Sequence, residues 1–75
     1  MRPDANLIGR NVARLRYQQG LTQDMLVAKV EVLNFFDITR AVLCNIELQR
    51  YVATDKHAFF LAKALKVEIG ELFRS

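Results

Sequence analysis

The chain has 75 residues, of which 52% are hydrophobic and 25% charged, and its formal net charge is +3. This length accommodates one domain, and the apolar fraction is too high for a disordered chain. One cysteine and one histidine leave neither an intramolecular disulfide nor a metal-ligand cluster, and the apolar runs are too short to span a membrane, so we expect a cytoplasmic protein.

Helical spacing of apolar residues organises the first half of the chain. A first helix is predicted from about residue 7 to residue 19, and Gly20 follows it as a left-handed stop. Thr22 is the expected N-cap of a second helix, which should end near Asn34 because asparagine tolerates the left-handed conformation.

The second half continues in the same way after a connector at 34–37. Thr39 is the preferred N-cap of a third helix, Thr54 is expected to cap a fourth over about 55–65, and a last short helix is predicted near 69–73. Five helices without a strand pattern predict an all-α domain. The predicted core comprises Ile8, Val12, Leu15, Leu26, Val30, Leu43, Ile46, Leu61 and Leu65.

The third predicted helix, within the stretch ITRAVLCNIE, has an unusual polar face. With Leu43 and Ile46 turned to the core, the opposite face carries Arg40, Ala41, Cys44 and Asn45. That face has no carboxylate, whereas the exposed face of a surface helix usually mixes charges of both signs. From these residues alone, an ordinary solvated face and a ligand-reading face are equally good interpretations.

The stretch GLTQDMLVAKV followed by ITRAVLCNIE resembles the helix-turn-helix domain of phage repressors and Xre-type bacterial regulators. The segment VATDKHAFFLAKALKVEIGELF is similar to the last two helices of that family, and the resemblance covers about residues 8–73. The matching residues of the two motifs are Gly20, Leu21, Thr22, Gln23 and Leu26, then Thr39, Arg40, Leu43, Ile46 and Glu47. The resemblance implies a five-helix lambda-repressor-like domain, spanning residues 1–75, that regulates transcription by sequence-specific DNA binding.

Three features depart from the family pattern. Val27 stands where alanine is usual, the connector between the second and third helices is long, and Gln49 stands where glycine normally follows the recognition helix. These departures bear on the angle between the second and third helices, and therefore on how the third helix would reach a groove.

By family position, Arg40, Ala41 and Asn45 are the implied base contacts. Arginine can donate two parallel hydrogen bonds to guanine, and asparagine can pair with adenine in the major groove. The alanine is short enough for close approach, and its methyl group can contact a thymine methyl.

The implied phosphate contacts surround that helix. They are Gln23, at the positive N-terminal end of the second helix, together with Thr22, Thr39, Arg50 and Tyr51. A free surface charge is an equally good interpretation of Arg50. The family pattern also implies a structural ion pair between Arg16 and Glu47, joining the first helix to the third.

Four residues have less specific interpretations. Cys44 is expected to be a small groove-facing residue rather than a thiol sensor, because it has no resolving partner. His57 is expected on the surface. One ring of Phe35 and Phe36 is expected to fill the space between the second and third helices, and the other could mark a protein contact.

The sequence therefore favours a DNA-binding regulator that acts on double-stranded DNA, without catalysis, metal or cofactor. No paired acid and base, activated nucleophile or phosphate-binding glycine loop indicates an enzyme. The alternative is a protein-interaction module on the same fold, antitoxin-like or an adaptor, that binds little DNA. A homodimer is expected, and the last helix, with Ile69, Leu72 and Phe73, is the predicted dimer surface.

Overall fold

The protein is all-α in the computed structural model, which describes the backbone of residues 4–74 and the side chains from Ile8 to Arg74. Helices are Asp4–Gln18 (α1), Gln23–Val32 (α2), Arg40–Glu47 (α3) and Asp55–Leu65 (α4), followed by a short 3₁₀ helix, Ile69–Phe73. Residues 4–74 contain no β-strand. Within the same residues, every helix is too short or too polar to cross a membrane.

Four of the five predicted helices are α-helices, and the last predicted segment forms a short 3₁₀ helix instead. The amide of Glu71 donates to the carbonyl of Glu68 at 2.9 Å, a bond between residues three apart. A segment of five residues cannot develop the repeated four-residue hydrogen bonds that make an α-helix favourable. Helix α1 also begins at Asp4, earlier than predicted.

The three predicted threonine caps are confirmed. The hydroxyl oxygens of Thr22, Thr39 and Thr54 accept hydrogen bonds from backbone amides three residues later, at 3.1, 3.2 and 3.2 Å. Each bond satisfies an amide that has no partner inside its helix. The helix starts therefore follow directly from the position of threonine in the sequence.

Left-handed residues follow the helix ends. Gly20 has a φ of 70°, as expected for a glycine stop, and Asn34 has a φ of 63° just after α2. Gln49 has a φ of 63° after α3, so it occupies the conformation for which the family pattern uses glycine. The chain makes this left-handed turn with a side chain that is less favourable there than glycine.

All of the predicted core residues are buried, the most exposed being Leu15 at 7%. Leu72 joins them at 0% exposure, so it cannot form part of a dimer surface as predicted. The side chain of Asn11 holds this end of the chain against α1, donating to the carbonyls of Leu72 at 2.8 Å and Arg74 at 2.7 Å. Ile69 remains 43% exposed.

The connector between α2 and α3 is anchored by one aromatic ring. Phe35 is buried and stacks on Phe60 of α4 with ring centroids 4.3 Å apart, whereas Phe36 is 65% exposed. One of the two rings is therefore buried, as expected, but the ring that it stacks on belongs to α4 rather than to α2 or α3. Ile38 is buried beside the start of α3.

The expectation that His57 lies on the surface is wrong, since this residue is only 5% exposed. Its Nδ1 accepts a hydrogen bond from the backbone amide of Thr54 at 3.2 Å, which completes a capping box at the start of α4. The rings of Phe35 and Tyr51 cover it, with centroids 6.0 and 5.6 Å away. A polar side chain is buried here because its nitrogen has a backbone partner.

Candidate nucleic-acid interface

Helix α3 presents the polar face that the sequence indicated. Leu43 and Ile46 are 0% and 2% exposed, while Arg40, Ala41 and Asn45 are exposed on the other side. All three of these exposed residues lie on one short helix whose start is fixed by the Thr39 cap. The helical phase therefore places the proposed base-contacting side chains in solvent together.

Arg40 contacts a carboxylate on the neighbouring helix. Its Nε lies 3.7 Å from Oδ1 of Asp24, and the two side chains are 69% and 73% exposed. An ion pair with this exposure contributes little, because water and salt screen it and both side chains lose rotamer freedom. Arg40 can therefore leave Asp24 at a small cost.

Arg16 and Glu47, predicted as a pair, form a bidentate ion pair between α1 and α3. Nε and Nη2 of Arg16 lie 2.8 and 2.9 Å from the two carboxylate oxygens, and each side chain is 7% exposed. The bond to Glu47 raises the pKa of Arg16 above its ordinary value, although desolvation acts in the opposite direction. Nη1 of Arg16 also donates to the carbonyl of Leu21 at 2.9 Å, so the guanidinium joins α1, α3 and the turn before α2.

Gln23 joins this cluster. Its Nε2 donates to Oε1 of Glu47 at 3.1 Å, a partner that sequence reasoning did not assign. The sequence indicated a phosphate contact, and the half-buried amide still has a second N–H and its carbonyl oxygen for a ligand. We call Arg16, Gln23 and Glu47 the polar clamp.

The predicted phosphate-contacting hydroxyls lie at helix starts. Thr22 and Thr39 are exposed, and each hydroxyl oxygen accepts from an amide of its own helix. A hydroxyl that accepts in a cap keeps its own proton for donation to an outside acceptor. Both threonines can therefore cap a helix and contact an anion at once.

Arg50 and Tyr51 follow α3 in the turn that leads toward α4. The backbone amide of Arg50 donates to the carbonyl of Asn45 at 2.9 Å, which folds the turn against the end of α3. Arg50 is exposed, and Tyr51 is 42% exposed with its ring against His57. This turn therefore places an exposed cationic residue just after the C-terminal end of α3.

Sequence reasoning missed Gly9, which sets the separation of α1 and α3. A Cβ added at Gly9 would lie 1.9 Å from the carbonyl oxygen of Ile46, so only glycine lets the two backbones approach this closely. The available signal was a glycine inside a helical pattern, where it costs stability unless a close contact requires it.

Residues 8–74 contain no cluster of three or more His, Cys, Asp or Glu side chains that could hold a metal ion. Cys44 is a free, half-buried cysteine on α3, which fits a small residue at the side of the exposed face. The side chains on this face can therefore donate hydrogen bonds and pack, but they do not form a ligand cage.

No protein-family model matches the sequence, and no curated protein or solved structure matches it. The functional argument accordingly rests on the residues and on their geometry.

Proposed function

We propose that the protein is a sequence-specific DNA-binding transcription regulator of the Xre type, with a lambda-repressor-like helix-turn-helix fold. In this proposal α3 is the recognition helix and lies in the major groove. The regulator occupies an operator and performs no chemistry.

The observation that carries this proposal is the exposed face of α3. It combines an arginine, a small residue and an amide, which are Arg40, Ala41 and Asn45. A recognition helix needs donors and acceptors that reach base edges, and it needs short side chains where the helix approaches the groove. The polar clamp supports the proposal further, because it fixes α3 against α1 and so limits the cost of ordering the helix on DNA.

Arg40 is proposed to read guanine, and Asn45 to read adenine. Each bidentate contact contributes about 1–3 kcal/mol of discrimination against the wrong base. Asp24 would hold Arg40 in the free protein and release it on binding, since their exposed pair is weak. Replacing Asp24 with asparagine should strengthen DNA binding modestly, because it removes an anion near the phosphates.

Phosphate contacts are proposed for Thr22, Gln23, Thr39, Arg50 and Tyr51. The helix starts offer free amides and a positive dipole end, and Arg50 adds a full charge. Such contacts position the protein without reading sequence. The net charge of +3 favours association with an anionic polymer.

A homodimer on near-palindromic DNA remains part of the proposal. Its surface would use Ile69, which is 43% exposed, and the partly buried Phe73, but not Leu72. Sedimentation velocity over a range of concentrations, with and without Ile69→Ser, tests this surface.

The proposal is tested by selecting bound sites from random duplex DNA and then measuring variants by fluorescence anisotropy. Arg40→Ala and Asn45→Ala should each weaken cognate binding by about 1–3 kcal/mol and relax the preference at one position. Arg50→Ala should weaken cognate and random DNA alike and lower the salt slope by about one. Gln23→Ala should weaken both without changing that slope, because glutamine is neutral.

Lys66→Ala is the control for charge. It removes an exposed lysine from the left-handed residue that follows α4, and it should leave the selected motif unchanged. A motif that survives Arg40→Ala but changes with Arg50→Ala would contradict the proposed docking of α3.

The second candidate function is a protein-interaction module on the same scaffold. Phe36 is the observation that favours it, because this large ring is 65% exposed in the connector just before α3. If selection enriches no site and Arg40→Ala, Asn45→Ala and Arg50→Ala leave DNA binding unchanged, this candidate replaces the first.

A further inference from the structure

A shallow groove lies between the C-terminal halves of α2 and α4. It is lined by Lys29, Val32, Leu33, Lys63, Ala64 and Lys66, and we call it the lysine-rimmed groove. Its floor is apolar, its three charged residues are all cationic, and its lining contains no carboxylate. The groove therefore combines exposed apolar area with positive charge.

Val32 is the residue that needs an explanation. Its side chain is 81% exposed, more than that of any other large hydrophobic residue in the described chain. Phe59 lies at the edge of the same surface, 48% exposed, with Nζ of Lys63 5.6 Å from its ring centroid. Lys29 and Lys63 have a structural reason to be where they are, because cations stabilise the last turn of a helix. The exposed valine has no such reason.

We propose that the lysine-rimmed groove binds an acidic amphipathic helix of another protein. Two crossing helix ends leave a furrow that accepts the apolar stripe of a third helix, as in other helix-in-groove complexes. The three lysines supply charge complementarity to acidic residues that flank such a stripe.

A second copy of this chain is a poor occupant. Its four α-helices each contain at most two acidic residues, and the single acidic residue of α3, Glu47, is held by Arg16 in the polar clamp. A chain with a net charge of +3 would also bring like charges together at this groove. The complementary helix is therefore none of these four.

The groove is separate from the proposed DNA-binding face. Gln23 begins α2 and Val32 ends it, so they lie about 13.5 Å apart along the helix at the usual rise of 1.5 Å per residue. A helix seated beside Val32 would leave Arg40 and Asn45 free. The inference does not depend on the proposed function, and each can fail without the other.

The test is an NMR titration of the isotope-labelled full chain with two designed helical peptides. The peptides share one leucine stripe, and one has glutamates at the flanking positions where the other has lysines. The acidic peptide should shift the amides of residues 29–33 and 63–66, and the basic peptide should bind at least about tenfold more weakly. Equal binding of both peptides, or shifts outside the groove, would overturn the proposal.

Variants sharpen the same experiment. Val32→Ser should weaken binding of the acidic peptide about tenfold, because the peptide can no longer bury the valine side chain. Folding should be unaffected, because Val32 is exposed in the free protein. Lys63→Glu should weaken the acidic peptide about two- to fivefold and strengthen the basic one. Arg40→Ala is the matched control and should change neither. Loss of binding in Arg40→Ala, or concentration-dependent shifts at the groove without peptide, would contradict a separate acidic partner.

Discussion

Helix α3 contacts α1 through a close backbone approach and charged groups, whereas the connector that leads into α3 is held to α4 by stacked rings. On the first side, Gly9 meets the backbone of Ile46, and Arg16 binds Glu47 through two hydrogen bonds. On the second side, Phe35 stacks on Phe60. The first region holds α3 itself, and the second holds the connector before it, with different chemistry.

The difference lies in how strictly each region fixes geometry. Bidentate hydrogen bonds depend on distance and angle, and a glycine contact tolerates no added atom. Aromatic packing is less directional and accepts several arrangements of similar energy. The α1 side therefore sets the orientation of α3, and the aromatic side supplies buried area for the connector.

Gly9→Ala should give the largest effect and break the first region. The added Cβ would lie 1.9 Å from the carbonyl oxygen of Ile46, so one helix must move. We expect a loss of about 4 kcal/mol or more in the free energy of unfolding, measured by urea denaturation. Gly70→Ala is the control, because nothing lies within 4 Å of its added Cβ. Similar midpoints for the two variants would show that α1 and α3 are not in close contact.

Phe35→Ala should break the second region by a smaller amount. Removing a buried phenylalanine usually costs about 3–5 kcal/mol, and the position of Phe35 at the edge of the core favours the lower end. Phe36→Ala, the neighbouring ring at 65% exposure, should change the free energy of unfolding by less than about 0.5 kcal/mol. Thermal and urea unfolding both measure this contrast, and a reversal would exchange the roles of the two rings.

The Arg16–Glu47 pair tests the first region specifically, because the strength of its two hydrogen bonds depends on their distance and angle. Glu47→Gln keeps the size of the side chain but removes its charge, and should cost about 2 kcal/mol. A double-mutant cycle with Arg16→Met should give a coupling energy above the roughly 0–1 kcal/mol of exposed pairs, since both side chains are 7% exposed. Additive single effects would mean that the pair contributes only packing.

Much of this architecture follows from local sequence. Threonines at 22, 39 and 54 determine where three helices begin, and helical spacing identifies a core that is buried as expected. These features depend on residues within a few positions of one another, so the sequence pattern contains them. The exposed face of α3 follows from the same periodicity.

The features that sequence reasoning missed depend on contacts between distant segments. Position 9 needs a glycine because the backbone of Ile46 lies against it, and Asn11 is buried because it binds the carbonyl of Leu72. Both partners are far away along the chain. The sequence shows a glycine and an asparagine in a helix, but it does not show what they face. The burial of His57 is not predictable for the same reason, since it depends on where the connector carries Phe35.

His57 gives the smallest predicted effect and tests the aromatic region alone. Burial lowers the pKa of His57 below its ordinary value of 6.5, an effect that the carboxylate of Asp37 partly offsets. Protonation would also put a proton on Nδ1, the atom that accepts from the amide of Thr54. In the window between the lowered pKa and 6.5 the unfolded chain therefore binds more protons than the folded protein, so its stability falls as the pH falls.

The expected result is a melting temperature that is constant above about pH 7 and declines as the pH is lowered through 6.5. The decline should correspond to about 0.5–1.5 kcal/mol, the net value of the lost hydrogen bond. His57 is the single histidine of the chain, so His57→Gln should abolish the decline. Glu47→Gln should preserve it, because the polar clamp does not contain His57. A melting temperature that stays constant as the pH is lowered through 6.5 would place the imidazole in solvent, because its pKa would then be the same in the folded and unfolded chain. A decline that persists in His57→Gln would assign the effect to other groups.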